Sequence, residues 1–359
     1  MESESATSFE TPIPLFSQQR VAPPAGAEEH ASWLERAPHK RLMLFSGRSN
    51  PELADRIARQ LGVELGRVML KTFTNTEVYA RYEESVRGAD VFIVQSCAAP
   101  TNDALWELMI MVNAAQLASA KRITAVMPWY PYVRQDKKSA PREPITAKLV
   151  AIALEAAGVD RVLTMDLHAG QVQGFFSKPV DHMTAVPMLA DHFKLRLAGV
   201  DPADVVVVAG DAGRTKLAKK FSEMLGASLA IISKERPEQQ VAVVTEVIGR
   251  VRGKVCVVID DMIDTAGTLC AGGQALLERG ATTVYACATH GLFSGPALER
   301  LERSAFEQVV VTDTVPVNPV TKPHKVEVLS VAPILADTIS SVFNDDSVSE
   351  LFHGGNQLF

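Results

Sequence analysis

Apolar runs that pass directly into polar residues recur along this chain, and stretches of helical period separate them. The runs "VFIVQS", "RITAVMP", "RVLTMDLH", "VVVVAGD", "LAIISK", "KVCVVIDD", "TVYACATHG", "QVVVTDT" and "KVEVLSV" read as strands. Amphipathic stretches such as "PELADRIARQLG", "NDALWELMIMVNAAQLASA" and "TAKLVAIALEAAG" lie between strand runs. Strands buried on both faces and alternating with helices predict an α/β chain with parallel sheets. Ligands of such sheets bind beyond the carboxyl ends of the strands. The polar clusters follow the apolar runs, so several are expected to face one cleft.

A length of 359 residues and a hydrophobic content of 47% suit two domains with real cores. A loose internal echo points the same way. The polar ends of "RITAVMPWYPYVRQD" and "DRVLTMDLHAGQ" resemble those of "VVVVAGDAGRTK" and "KVCVVIDDMIDTAGT". The expected divisions are a disordered tail at residues 1–38, a first domain at 39–184 and a second at 185–342. The net charge of −6 argues against a non-specific nucleic-acid binder. Cys97, Cys256, Cys270 and Cys287 form no CxxC pair, so a reduced, cytoplasmic chain is expected. No apolar run has the length of a bilayer span, and the N-terminus lacks a signal-peptide pattern.

Four clusters carry candidate chemistry. In "VVIDDMIDTAGTL" (257–269), Asp264, Thr265, Ala266, Gly267 and Thr268 form a turn into a helix expected near Leu269. Backbone N–H groups of such a turn bind phosphate, while Asp260 and Asp261 suit sugar hydroxyls or a metal ion. A solvated strand end with a helix cap uses the same residue types. In "MDLHAGQVQGFF" (165–176), alternation places Asp166 and His168 on one side of an extended strand end. They suit a divalent metal, or a plain hydrogen-bonded histidine. "PWYPYVRQDKKSAPREPI" (128–145) is a basic, Pro-rich loop that suits a polyphosphate or ordinary solvent exposure. In "IISKERP" (231–237), Lys234 and Arg236 alternate after a strand, suited to charge on a transferring phosphoryl group or to water. No GxxxxGK[ST], strand-following GxGxxG or HExxH occurs, so a bound nucleoside triphosphate is not held by a Walker loop.

Taken together, "YVRQDKK", "MDLHAGQVQGFF", "ISKER", "DDMIDTAGT" and "THGLFSGPA" resemble, in order and spacing, the ribose-phosphate pyrophosphokinase family across about residues 41–352. The resemblance implies two type I phosphoribosyltransferase-like domains, with mostly parallel sheets flanked by helices. It implies transfer of the diphosphoryl group of ATP to the anomeric hydroxyl of ribose 5-phosphate, giving 5-phospho-α-D-ribose 1-diphosphate and AMP. Magnesium (Mg2+) is the implied cofactor, and the implied assembly is a homohexamer built from dimers. No nucleic acid or membrane partner is implied. The last segment, 343–359, is expected to pack back on the first domain.

By the same resemblance, Asp260, Asp261, Asp264, Thr265, Ala266, Gly267 and Thr268 hold ribose 5-phosphate, with Asp211. Asp166, His168 and Asp211 meet magnesium. Phe73, Asn75, Glu77, Arg134, Gln135, Asp136 and His168 contact ATP. Lys234, Arg236 and Arg134 stabilise the transition state. Ser85, Arg87, Arg142, Ser347 and Ser349 match a regulatory site for phosphate and ADP. Three departures from the family pattern stand out: Ser177 where an acidic residue is common, Arg214 where many members carry glycine, and the extra N-terminal tail. A phosphoribosyltransferase that consumes the diphosphate, or a non-catalytic regulatory homologue, would share parts of this pattern.

Overall fold

The computed structural model of the chain describes residues 40–238 and 241–351, excepting the side chains of 234–245. The tail at 1–38 lies outside the described residues.

The first half runs β1 (Leu42–Ser46), α1 (Pro51–Leu61), β2 (Val68–Thr72), β3 (Val78–Tyr82), β4 (Asp90–Val94) and α2 (Thr101–Leu117). It continues with β5 (Arg122–Met127), α3 (Thr146–Ala157), β6 (Arg161–Met165) and β7 (Val180–Met183). Strands β1, β4, β5, β6 and β7 form one sheet in that order, parallel throughout. Its two faces divide the side chains with period two. Val91 and Ile93 of β4 enter the core shared with α2 and α3, while Phe92 and Val94 enter the one shared with α1.

The second half opens with α4 (Val186–Arg196), β8 (Val205–Ala209), α5 (Thr215–Leu225), β9 (Ser228–Glu238), β10 (Val241–Ile248) and β11 (Val255–Ile263). It continues with α6 (Gly267–Glu278), β12 (Thr283–Gly291), α7 (Ala297–Glu302), β13 (Gln308–Thr312) and β14 (Val326–Leu329). The sheet order is β10-β9-β8-β11-β12-β13-β14, and β10 is its antiparallel edge. Every residue of β8 is buried, as an unalternating "VVVVA" requires. Val206 and Val208 face α6, while Val205, Val207 and Ala209 face α4 and α5. Burying each such valine stabilises the fold by roughly 1.5–3 kcal/mol.

Two elements close the chain, α8 (Ala332–Asn344) and α9 (Val348–Leu351). Helix α8 leaves the second sheet and packs on the first. Leu335, Ile339 and Val342 share a core with Leu53 and Ile57 of α1. The return to the first sheet thus starts near Val331, earlier than residue 343.

A charge cluster fastens this return. Asp345 ends α8 in the left-handed region (φ 63°) and accepts from Lys40 and, at 2.6 Å, from Arg122. The hydrogen bonds from Arg122 and then Lys40 hold its carboxyl down at about 2. A depressed carboxyl contributes stability above its ordinary pKa and loses it as pH falls through the folded value. Asp345→Asn is therefore expected to melt below the parent at neutral pH, with the gap closing between the ordinary 3.8 and about 2. Thermal melts across that range check this; a gap independent of pH would contradict it.

Among the described residues no helix is long and apolar enough to cross a membrane.

Candidate active site

The carboxyl ends of β5, β6, β8, β11 and β12 meet around one cavity of 690 Å³. From the first half it is lined by Arg134, Asp136, Lys137, Asp166, His168 and His182. The second half adds Asp211, Arg214, Lys216, Lys220, Asp261 and Thr289. Cations and carboxylates thus share one hollow at strand ends, where α/β sheets place ligands.

Strand β11 carries Asp261 to the cavity, with Asp260 beside it outside the lining. Asp261 is only 5% exposed and takes His168 Nδ1 at 2.7 Å and Arg214 Nη2 at 3.1 Å. Asp260 lies 3.2 Å from Arg214 Nε and accepts the backbone N–H of Asp261 at 2.9 Å. Burial and the adjacent Asp261 charge push the Asp260 carboxyl well up. Burial would also raise Asp261, but hydrogen bonds from His168 and Asp260, with the Arg214 charge, hold it well below the usual range.

The turn after β11 differs slightly from expectation. Helix α6 begins at Gly267, not near Leu269, because Ala266 adopts the left-handed conformation (φ 58°) and starts the helix there. Asp264 pairs with Arg134 at 2.7 Å, so the basic loop of the first half touches the turn of the second.

Asp166 also departs from the sequence reading. Strand β6 stops at Met165, and Asp166 is left-handed (φ 33°), not extended. Its Oδ2 accepts Ala185 N–H at 2.8 Å and the Thr289 hydroxyl at 2.6 Å. These two donors overcome the extended preference of a strand end. His290, beside Thr289, bridges the Asp166 carbonyl (3.2 Å) and the Thr314 hydroxyl (2.9 Å), edge-on to Trp129. Burial lowers its pKa, against the charges of Asp166 and Asp261, as suits a neutral ring with one donor and one acceptor.

A second cavity of 570 Å³ lies beside the first and shares Arg134 with it. Gln135, Trp129, Tyr132, Asn102 and Asp264 line it. Gln135 accepts the Thr146 hydroxyl at 2.6 Å, and the largely buried Asp136 accepts from Gln171.

Other expected residues are not gathered here. Phe73, Asn75 and Glu77 sit at the tip of the β2–β3 hairpin, and Phe73 is 42% exposed. Among the described residues, those lining the two cavities include none of the three. Lys234 and Arg236 lie on β9, and their side chains fall outside the described residues. Ser85 and Arg87 share one loop, where Arg41 donates to both carbonyls. Arg142 is left-handed in the basic loop, and Ser347 and Ser349 are exposed around α9. Ser177 caps a loop through Glu155 rather than facing the cavity.

Sequence reasoning gave no role to Arg214, Thr289 or His290. Each acts through partners on a distant segment, a relation absent from local spacing.

No three His, Cys, Asp or Glu side chains among the described residues converge as a metal cage. A magnesium ion that keeps most of its waters needs only one or two carboxylates beside substrate phosphates. Asp166 and Asp211 are among the carboxylates lining this cavity, so its residues are compatible with such an ion.

Residues 42–158 match the family model described as the N-terminal domain of ribose phosphate pyrophosphokinase. Residues 241–353 match that of the phosphoribosyl synthetase-associated domain. The ribose-phosphate pyrophosphokinase of Fusobacterium nucleatum is 50% identical over 310 residues, covering 86% of this chain and 98% of that protein. The one from Caldanaerobacter subterraneus is 51% identical over 311 residues, covering 87% and 98%. A solved phosphoribosylpyrophosphate synthetase from Mycobacterium smegmatis aligns with a TM-score of 0.80 at 45% identity, covering 85% of this chain and 100% of that one. The chain belongs to the ribose-phosphate pyrophosphokinase family.

Proposed function

We propose that this chain transfers the diphosphoryl group of ATP to the anomeric hydroxyl of ribose 5-phosphate. The bond between the α- and β-phosphates breaks, AMP leaves, and the sugar oxygen takes the β-phosphorus. The observation that carries this reading is the joining of the two halves at one hollow. Arg134 of the first half pairs with Asp264 of the second, at the border of a cavity rich in cations and a second cavity.

In this reading Asp260 and Asp261 accept the ribose hydroxyls. The turn Asp264–Thr268 takes the 5-phosphate on its backbone N–H groups. Arg134, Gln135 and Asp136 orient ATP, and Asp211 lies between the two substrates. Asp166, His168 and Asp211 would hold magnesium directly or through water, and the ion would supply charge neutralisation at the phosphates. Lys234 and Arg236 offset the charge that develops during transfer. No side chain serves as a nucleophile: alignment and charge neutralisation carry the catalysis. Phe73, Asn75 and Glu77 receive the adenine. Their place on an exposed hairpin suits a site completed by another copy of the chain, within the homohexamer. Ser85, Arg87, Arg142, Ser347 and Ser349 take phosphate or ADP across such contacts. The working compartment is the cytoplasm.

The test is AMP release from ATP and magnesium, with and without ribose 5-phosphate. AMP that depends on the sugar is the expected result. Absence of AMP at every phosphate concentration would overturn the catalytic reading. Consumption of the sugar diphosphate in place of its formation would favour a phosphoribosyltransferase.

A further inference from the structure

The turn that enters α6 is tied down from behind, carbonyl by carbonyl. Ile263 O accepts the N–H groups of Leu292 and Phe293, at 2.9 and 3.1 Å. Asp264 O accepts Ser294 N–H at 3.0 Å, and Ala266 O accepts Cys270 N–H at 2.9 Å. Between them, Thr265 O accepts Nη1 of Arg300 at 2.9 Å. Among the described residues, this is the one carbonyl of the four held by a side chain rather than by backbone.

We propose that Arg300 is a positioning residue that aims the amide after Thr265 at the sugar phosphate. This rests on the reading of Asp264–Thr268 as the 5-phosphate cradle. A peptide unit is planar and trans, so its C=O and N–H point in opposite directions. A guanidinium that holds Thr265 C=O behind the turn therefore fixes Ala266 N–H toward the front. Ala266 carries the cost of a left-handed backbone, which a flip of this peptide would relieve. A second close approach supports the arrangement. A Cβ added to Gly267 would stand 3.2 Å from Arg300 Nη1, so the guanidinium packs directly on the back of the helix start. Its charge also adds to the positive potential of the helix N-terminus.

Arg300 itself lines neither of the two cavities around Arg134. It is carried by α7, just after the "THGLFSGPA" segment, and thereby links that segment to phosphate binding.

The test compares Arg300→Gln, Arg300→Lys and Thr268→Ala in the full chain. Steady-state kinetics, calorimetric titration with ribose 5-phosphate and thermal melts are measured for each. Arg300→Gln is expected to weaken both KM and Kd for ribose 5-phosphate about tenfold, with KM for ATP and the melting temperature little changed. Arg300→Lys should fall between, since it restores charge but not the planar donor pair. Thr268→Ala serves as the control for the cradle itself. If it weakens the sugar phosphate and Arg300→Gln does not, the role of Arg300 is overturned and the cradle stands. If neither variant changes ribose 5-phosphate binding, the cradle reading fails and the role falls with it. A parallel rise in both KM values with a lower melting temperature would make Arg300 merely structural and overturn the proposal.

Discussion

Asp261→Asn is expected to lower kcat/KM for ribose 5-phosphate about 100-fold and to destabilise the ligand-free protein by about 1–3 kcal/mol. Asp260→Asn should also lose activity, yet melt no lower than the parent. The two carboxylates are neighbours on β11 but do not share one environment. Asp261 carries the charge that meets His168 at 2.7 Å and Arg214 at 3.1 Å. Those partners, with Asp260, hold its carboxyl low against burial. An amide there leaves Arg214 with only the weaker of its two acids. Asp260 is pushed the other way, by burial and by Asp261. An amide at 260 removes a charge that burial and Asp261 disfavour, and gives up only the 3.2 Å contact to Arg214 Nε.

The sign follows from linkage. A raised carboxyl contributes stability below its ordinary pKa and loses it as pH rises through its folded value. Asp260→Asn removes that loss, so its advantage over the parent should grow as pH rises above the ordinary 3.8. Calorimetric melts of both variants across pH check the asymmetry. Equal destabilisation at 260 and 261 would contradict it.

Part of the cavity lining was legible in the sequence because its carboxylates stand at or near strand ends. Apolar runs such as Val205–Ala209 announce buried strands; Asp166 follows Met165 directly, Asp211 comes after Gly210, and Asp260 follows Ile259 within β11. Two short strands of the hairpin were harder. "VMLKT" and "VYARY" leave alternate residues exposed, and Val68, Leu70, Ala80 and Tyr82 reach the first core only as partly buried side chains. The edge strand β10, "VAVVTEVI", has a strand's β-branched composition but was not among the expected strands. Periodicity also failed at Asp166, because alternation assumes an extended backbone and Asp166 is held left-handed by Ala185 and Thr289. Arg214 was visible only as a residue where glycine was expected. Its pairing with both carboxylates of β11 comes from the turn after β8, far away along the chain. Partners supplied by another segment leave no local pattern.

On the proposed role of Asp166 beside magnesium, Thr289→Val is expected to raise the magnesium concentration needed for half-maximal activity by about 10- to 100-fold, the usual effect of removing a partner that orients a metal ligand. Valine keeps the shape of threonine and removes the hydroxyl that donates to Asp166 Oδ2 at 2.6 Å. Asp166 would then keep Ala185 N–H on that oxygen, at 2.8 Å. One donor leaves a buried carboxylate free to rotate away from the cavity. The backbone side stays fixed, since His290 holds the Asp166 carbonyl and is itself held by Thr314. The loss should therefore fall on the carboxylate and not on the whole strand end. Thr312→Val is the matching control. Its hydroxyl is equally buried and donates to Thr289 O at 2.7 Å; it also meets Thr314 Oγ1 at 3.1 Å, on the backbone side of the network, without touching the Asp166 carboxylate. It should cost about 1 kcal/mol of stability and leave the magnesium requirement unchanged. Magnesium titrations of activity, with melts of both variants, separate the two effects. A normal magnesium requirement in Thr289→Val, alongside a lower melting temperature, would remove Asp166 from the metal's surroundings and leave Asp211 as the cavity carboxylate to test next.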